Sequence, residues 1–289
     1  MDQLKVKACA KINLGLDVIK KLPTGYHQVK MVMQAIDLCD ELTLEKTASG
    51  IVLTTDNAEL PTDEGNLIFR AAKLMQETFD LKEGLKVHLQ KNIPIAAGMA
   101  GGSTDAAAVM KGINRIFELK VPQKALMELS TAIGADVPFC ILGGTALAEG
   151  IGEKLTPLPP IPFCHVLAAK PHISVSTKYV YEHLDSAEIR NHPDIDGMTA
   201  AIQDGNLKGI VSRMENVLES VTITAYPVIE AIKERMLELG AAGSLMSGSG
   251  PTVFGIFPDE KSAGHALIKL KEESLAEQVF LAAPIQTAG

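Results

Sequence analysis

Three short stretches of this sequence hold residue types and spacings suited to chemistry on phosphate. The longest is Pro94-Ile95-Ala96-Ala97-Gly98-Met99-Ala100-Gly101-Gly102-Ser103-Thr104-Asp105. Most of its side chains are small, so backbone N–H groups can converge on an anion. A helix starting there adds its partial positive charge. The Ser103 hydroxyl offers a ligand to a phosphate oxygen or to magnesium. The loop lacks the Gly-Lys-Ser/Thr ending of a Walker loop and the Gly-x-Gly-x-x-Gly spacing of dinucleotide folds. The second stretch is Gly134-Ala135-Asp136-Val137-Pro138-Phe139. Its carboxylate, set among apolar neighbours, suits either capping of a short helix or removal of a proton from an attacking hydroxyl. The third, Ser247-Gly248-Ser249-Gly250-Pro251, is a small-residue turn between two strands.

The elements that must position these residues are readable from periodicity. Leu4, Val6, Ala8, Ala10, Ile12, Leu14, Leu16 and Val18 alternate with Lys5, Lys7, Lys11, Asn13 and Asp17. This period of two predicts a strand with one buried face, and it sets Lys11 and Asn13 together on the other face. A turn at Lys20–Gly25 follows, then Tyr26 and His27, then strands over about 28–36 and 41–46. Leu67, Ile68, Ala71, Leu74 and Met75 give helical spacing, with Asn66 at the start. Lys86–Gln90 reads as a strand feeding the phosphate-type loop. From Thr104 onward a second helix carries Ala106, Val109, Met110, Ile113 and Phe117 inward, with Ser103 as its N-cap. Pro122 opens a helix that stops at Gly134. Helices over about 176–184 and 227–239, and strands at 163–169 and around the 247–251 turn, complete an α+β or α/β pattern. The Pro-dense run 157–162 marks a boundary, giving units 1–154 and 155–289.

Composition narrows the function classes. The 289 residues carry 27 Lys and Arg against 35 Asp and Glu, a net charge of −8, so nucleic acid is not the expected partner. Hydrophobic residues at 46% are enough for a substantial core. No apolar run is long enough for a membrane helix, and the start offers no signal-peptide core, so a cytoplasmic location is expected. Cys9, Cys39, Cys140 and Cys164 show no paired spacing, which predicts free thiols and neither a disulfide framework nor a zinc site. His88, His165, His172, His183, His192 and His265 have no metal spacing. With 4 Tyr and no Trp in the chain, a tyrosine in a turn such as Tyr26 stands out.

The segment PIAAGMAGGSTDAAA resembles the phosphate loop of the GHMP kinases, and the resemblance extends over about residues 8–255. It includes AKINLGLDV with GYH after it, GNLIFRAA, GADVPFC and SGSGPTVFG. Two departures are Ala100, where Gly is frequent, and Thr24, where Asp is common before GYH. The resemblance implies a two-domain fold: an N-terminal ribosomal-S5-domain-2-like domain and a C-terminal ferredoxin-like α/β sandwich. It implies an ATP- and magnesium-dependent kinase that transfers the γ-phosphoryl group directly to an alcohol. Asp136 would be the base and Lys11 the cation beside it. Residues 94–104 and Asn66 would bind the nucleotide, and Ser103 the metal.

The GYH element points within the family to a substrate bearing cytidine diphosphate, used in the non-mevalonate route to isoprenoids. Tyr26 would stack on cytosine, His27 would bond its edge, and Tyr181, or Tyr179 two residues earlier, would cover the other face. Asn13, Gly248, Ser249 and Gly250 would complete the substrate site. No macromolecular partner is implied, and a monomer or weak homodimer is expected. The rival readings are a mevalonate-type kinase or decarboxylase on the same scaffold, and a non-catalytic nucleotide sensor.

Overall fold

The computed structural model describes residues 2–184, 189 and 191–286. The chain begins with two long antiparallel strands, β1 (Gln3–Lys21) and β2 (His27–Thr47), paired from Gln3↔Glu45 to Lys21↔His27. Then follow β3 (Ile51–Thr55), α1 (Leu67–Phe79), β4 (Gly84–Gln90), α2 (Gly101–Ile116), α3 (Gln123–Ser130), α4 (Val137–Leu142), β5 (Thr145–Gly150) and β6 (Lys154–Leu158). The six strands form one sheet in the order β3-β4-β2-β5-β6, with β1 paired to β2. The apolar stripes of α1 and α2 (Ile68, Ala71, Met75, Ala106, Met110, Ile113) close over Leu42, Leu44 and Val87 of that sheet.

The second half runs β7 (His165–Lys170), α5 (Thr177–His183), α6 (Ile195–Gln203), α7 (Leu207–Val211), α8 (Glu219–Ala225), α9 (Val228–Glu238), β8 (Gly243–Met246), β9 (Val253–Phe257), α10 (Glu260–Glu272) and β10 (Gln278–Ala282). Its sheet order is β10-β7-β9-β8, antiparallel throughout. Strand, helices, strand, strand, helix, strand with the last strand beside the first is the split arrangement of ferredoxin-like folds. The expected α+β class therefore holds for both halves.

The two sheets share core. Ala10, Ile12 and Leu14 of β1 pack in one cluster with Val166, Phe254 and Ile256 of the second sheet and with Ile195 and Met198 of α6. Bridges Leu16↔Asn216 and Ile36↔Pro284 tie the halves by backbone as well. For this reason the expected single buried face of β1 is corrected: residues 10–18 are buried on both faces, including Lys11, Asn13 and Asp17. The strands expected at 28–36 and 41–46 are one strand, because β2 passes from pairing with β5 to pairing with β4 without a break. The first sheet also takes in β6 up to Leu158, with Pro157 opposite Ala146, past the expected boundary at residue 154.

Two further expectations change. Helix α2 begins at Gly101, so Ser103 lies inside the first turn and is not the N-cap. That position belongs to Ala100, in left-handed backbone with no side-chain capping bond. The four cysteines are not all free, since Cys9 and Cys39 form a disulfide while Cys140 and Cys164 remain thiols. Close spacing in sequence has no bearing on this pair. The β1–β2 register sets the two residues directly opposite, with Cα atoms 4.0 Å apart across a separation of 30 residues.

Candidate active site

A cavity of about 970 Å³ opens where the β1–β2 hairpin, the loop before α2, the start of α4, helix α5 and the 247–251 turn meet. Lys11 and Asp136 both line it. Lys11 is 5% exposed, and its Nζ donates to Asn13 Oδ1 at 2.7 Å and to the Gly98 carbonyl at 3.1 Å. Alternation along β1 puts Asn13 beside Lys11, and the Asn13 amide is itself held by donation to Met31 Sδ. The ammonium is therefore fixed in direction. It makes no ion pair with Asp136 within 4.0 Å, so the two charges face a shared space without neutralising each other by contact.

Asp136 occupies the N-cap position of α4 with φ −82° and ψ −15°, yet its side chain makes no capping bond. The carboxylate is left free toward the cavity. Its charge is felt by neighbours: the Tyr181 hydroxyl is held above its usual range by burial and then by Asp136. Burial and Asp136 likewise push the Cys140 thiol up to about 12. A thiol so raised is not a nucleophile.

The loop before α2 presents amides rather than side chains. The first three N–H groups of a helix have no partner within it, and α2 has no side-chain cap, so those of Gly101, Gly102 and Ser103 stand open to the cavity that these residues line. Gly98, at φ +73°, is required where it stands. A Cβ there would lie 2.2 Å from the Ser247 carbonyl oxygen. The Gly98 carbonyl in turn accepts from Ser247 Oγ at 3.0 Å as well as from Lys11. One glycine thus joins the loop, β1 and the 247–251 turn.

Tyr26, His27 and Tyr181 also line the cavity. The tight turn closing the β1–β2 hairpin leaves the Tyr26 ring 61% exposed and buries His27. The His27 and Tyr181 rings are 5.1 Å apart, and His27 Nε2 is buried without a partner. Burial, and then the Lys21 charge, hold the His27 pKa below its usual value, which favours the neutral ring. Tyr179 is not in the cavity; its ring rests on His183 at 4.0 Å.

Comparison with known proteins bears on what this cavity serves. Residues 66–144 match the family described as GHMP kinases N terminal domain, and residues 198–275 match GHMP kinases C terminal. A 4-diphosphocytidyl-2-C-methyl-D-erythritol kinase of Lachnospira eligens is 53% identical over 97% of this chain and 98% of its own length. The chain belongs to the GHMP kinase family. It is an ATP-using kinase, and its relatives set it in the 4-diphosphocytidyl-2-C-methyl-D-erythritol kinase branch. One of Acetivibrio thermocellus is 49% identical over 94% of this chain and 96% of that one. A crystal structure of 4-(cytidine 5'-diphospho)-2C-methyl-D-erythritol kinase superposes with TM-score 0.83 at 30% identity, covering 99% and 100% of the two chains. Mevalonate kinase of L. major, at TM-score 0.76 and 15% identity, shares the fold.

Not every residue expected in the kinase site faces the cavity. Thr104 is buried, and its hydroxyl donates to the Cys9 carbonyl at 2.7 Å. Met99 is in the core, with its carbonyl accepting from the Lys11 amide. Asn66 caps α1, accepting from Ile68 N and donating to the Pro61 carbonyl. It lines a separate cavity of about 170 Å³ with Pro94, Ile95 and Ala96. Ala97, Gly248, Ser249 and Gly250 do line the main cavity, and Ser249 Oγ lies 2.8 Å from Thr177 Oγ1. Lys21, Thr177, Lys178 and Glu182 also line it, and no sequence motif singled them out. Asn216 was missed too: 3% exposed, it donates to the carbonyls of Met246 and Gly248 and so shapes the turn.

Proposed function

We propose that this kinase transfers the γ-phosphoryl group of ATP to the 2-hydroxyl of 4-diphosphocytidyl-2-C-methyl-D-erythritol, in the non-mevalonate isoprenoid pathway. One observation carries the reading. A single cavity is lined by an open helix N-terminus, a fixed ammonium, a free carboxylate and an aromatic–imidazole cluster. The phosphates of ATP bind the amides at 98–103. Asp136 accepts the proton of the attacking hydroxyl, and Lys11 stabilises charge on the group in transfer. Transfer is in line and direct, with the alcohol itself as the nucleophile once Asp136 takes its proton. The cytosine base lies against Tyr26 and Tyr181, and His27 Nε2 bonds its polar edge. Stacking plus edge bonding discriminates a base that phosphate contacts alone would not.

Magnesium fits this donor set. No group of three or more His, Cys, Asp or Glu able to hold a metal occurs among the described residues. Magnesium in kinases is bound mainly by phosphate oxygens and water with one or two protein groups, and Ser103 is the hydroxyl on the phosphate-type loop, lining the cavity, that would hold it. When bound, it would neutralise charge on the β- and γ-phosphates. The enzyme acts as a cytoplasmic monomer or weak homodimer. Its exposed large apolar side chains (Val52, Phe163, Leu237 and Ile268 among them) are scattered over different elements, and among the described residues no helix is long and apolar enough to cross a membrane.

The test is ADP release with ATP, magnesium and the cytidylated alcohol, run against mevalonate and homoserine. Turnover confined to the cytidylated alcohol is expected. Turnover on mevalonate alone would overturn the substrate assignment.

A further inference from the structure

The arch between β4 and α2 holds two non-glycine residues in left-handed backbone, Ala96 at φ 51° and Ala100 at φ 57°. Side chains are strained there, and such conformations persist only where the surroundings fix them. Both feet of the arch meet a buried ionic cluster that no step of the transfer uses. One oxygen of Asp40, on β2, accepts from the amides of Asn92 at 2.6 Å and Ile93 at 2.8 Å. Its other oxygen accepts from Lys91 Nζ. The same ammonium donates to Asp105 Oδ2, near the start of α2, at 2.8 Å. All three side chains are at most 4% exposed. One cation therefore ties the entry of the arch to its exit.

Lys91 holds one oxygen of each carboxylate, so a single side chain links β2 to the start of α2. Buried ionic clusters are often no more stabilising than well-packed apolar residues, and fixed geometry is what such a cluster can add.

We propose that Asp40, Lys91 and Asp105 form a brace that holds the arch in its phosphate-binding shape, with Lys91 as a positioning residue for the nucleotide. The proposal rests on the reading that residues 94–104 hold the phosphates of ATP. The brace touches no reacting atom, so its loss acts on the binding of ATP and spares the alcohol.

The experiment measures kcat, both KM values, the calorimetric Kd for ATP with magnesium, and melting, on K91M, K91R, D105L and D105N. K91M is also placed in an A100G background. K91M should raise KM and Kd for ATP at least ~10-fold, as misplacement of a binding group does, with KM for the alcohol within about twofold. K91R should recover most of that loss. In the A100G background the penalty of K91M should shrink at least about threefold, because glycine takes φ 57° without strain. If K91M fails to fold, D105L carries the same test, since it is close in size and removes the carboxyl that Lys91 holds at the exit of the arch; D105N, which keeps an acceptor oxygen for Lys91, should bind ATP more nearly as the parent does. Equal changes in both KM values, a lower melting point with ATP binding intact, or an undiminished penalty beside A100G would each overturn the brace. G102D separates the two readings by placing a carboxylate among the loop amides. Unchanged ATP affinity in G102D would sink the loop assignment and the brace with it. Weakened affinity there, with K91M unmoved, would sink the brace alone.

Discussion

Replacing Asp136 by Asn separates the two tasks its position allows. An N-cap carboxylate that makes its bond contributes ~1 kcal/mol. In a chain of this size, losing that lowers Tm by ~2–4 °C. The Asp136 side chain makes no such bond, so Asp136→Asn should shift Tm by less than about 1 °C, as a substitution free of lost contacts does. Removing a general base costs ~10²–10⁴ in rate. At 1.36 kcal/mol per tenfold that is ~2.7–5.4 kcal/mol of barrier. The assay is coupled ADP release at saturating ATP and alcohol, with calorimetric ATP binding and a melt on the same preparation. The kcat should fall by that factor while the Kd for ATP stays within about twofold, because the nucleotide's contacts lie on the loop. Tyr181 and Cys140, both of which Asp136 pushes upward, are neutral in the folded and unfolded states near pH 7, so losing the charge leaves Tm there unchanged through them. A kcat within about threefold of the parent would remove Asp136 from proton transfer. The same kcat with a Tm loss of ~2–4 °C would make it a cap after all.

Three further outcomes follow from the geometry. Tyr26→Ala should raise KM for the cytidylated alcohol about 5- to 150-fold, the worth of ~1–3 kcal/mol of base stacking, and leave KM for ATP unchanged; a shift in the ATP value instead would misplace the base. Thiol titration in denaturant should find only Cys140 and Cys164 without reductant and all four cysteines with it. Removing the cross-link by Cys9→Ser with Cys39→Ser should cost ~3–4 kcal/mol of stability on the chain-entropy account. The third concerns pH. Asp105 rises from 3.8 to about 8 on folding, so the folded state keeps a proton that the unfolded chain releases. Its contribution must fall as pH rises through that interval and level off above it. Urea midpoints at pH 5, 7 and 9 should show that slope in the parent and a flatter one in Asp105→Asn.

The sequence made the site legible wherever chemistry depends on local order. The strand–small loop–helix run at 94–105, the alternation that pairs Lys11 with Asn13, and the Gly-terminated approach to Asp136 are each written within a few residues. The cavity brings these together as expected. What escaped depends on register or on long-range packing. Cys9 meets Cys39 only because β1 and β2 pair in one register. Asn216 shapes the 247–251 turn from a segment with no motif, through two bonds to carbonyls of the turn. Ser103 and Thr104 show the limit inside a well-read motif. The helix starts at Gly101, which turns Ser103 to the cavity and Thr104 to Cys9. A composition rule cannot resolve that shift of phase, because a helix turns side chains ~100° per residue.

The charge of −8 excludes little by itself. Both substrates are polyanions, and the chain that binds them is acidic. The cavity resolves the conflict locally. Its charged lining is Lys11, Lys21 and Lys178 against Asp136 and Glu182, so cations outnumber carboxylates there while the rest of the chain carries the excess acid. Unbonded amides at the start of α2 add positive potential that involves no side chain at all. An acidic exterior repels nucleic acid, whose binding needs a cationic surface many residues long. A recessed cavity with few cations and open amides admits a small phosphate ester, whose charge it can meet at close range in a poorly screened site. Selection between small anions and long ones is in this sense a matter of where the few cations stand, and Lys11 stands in the cavity wall, 5% exposed.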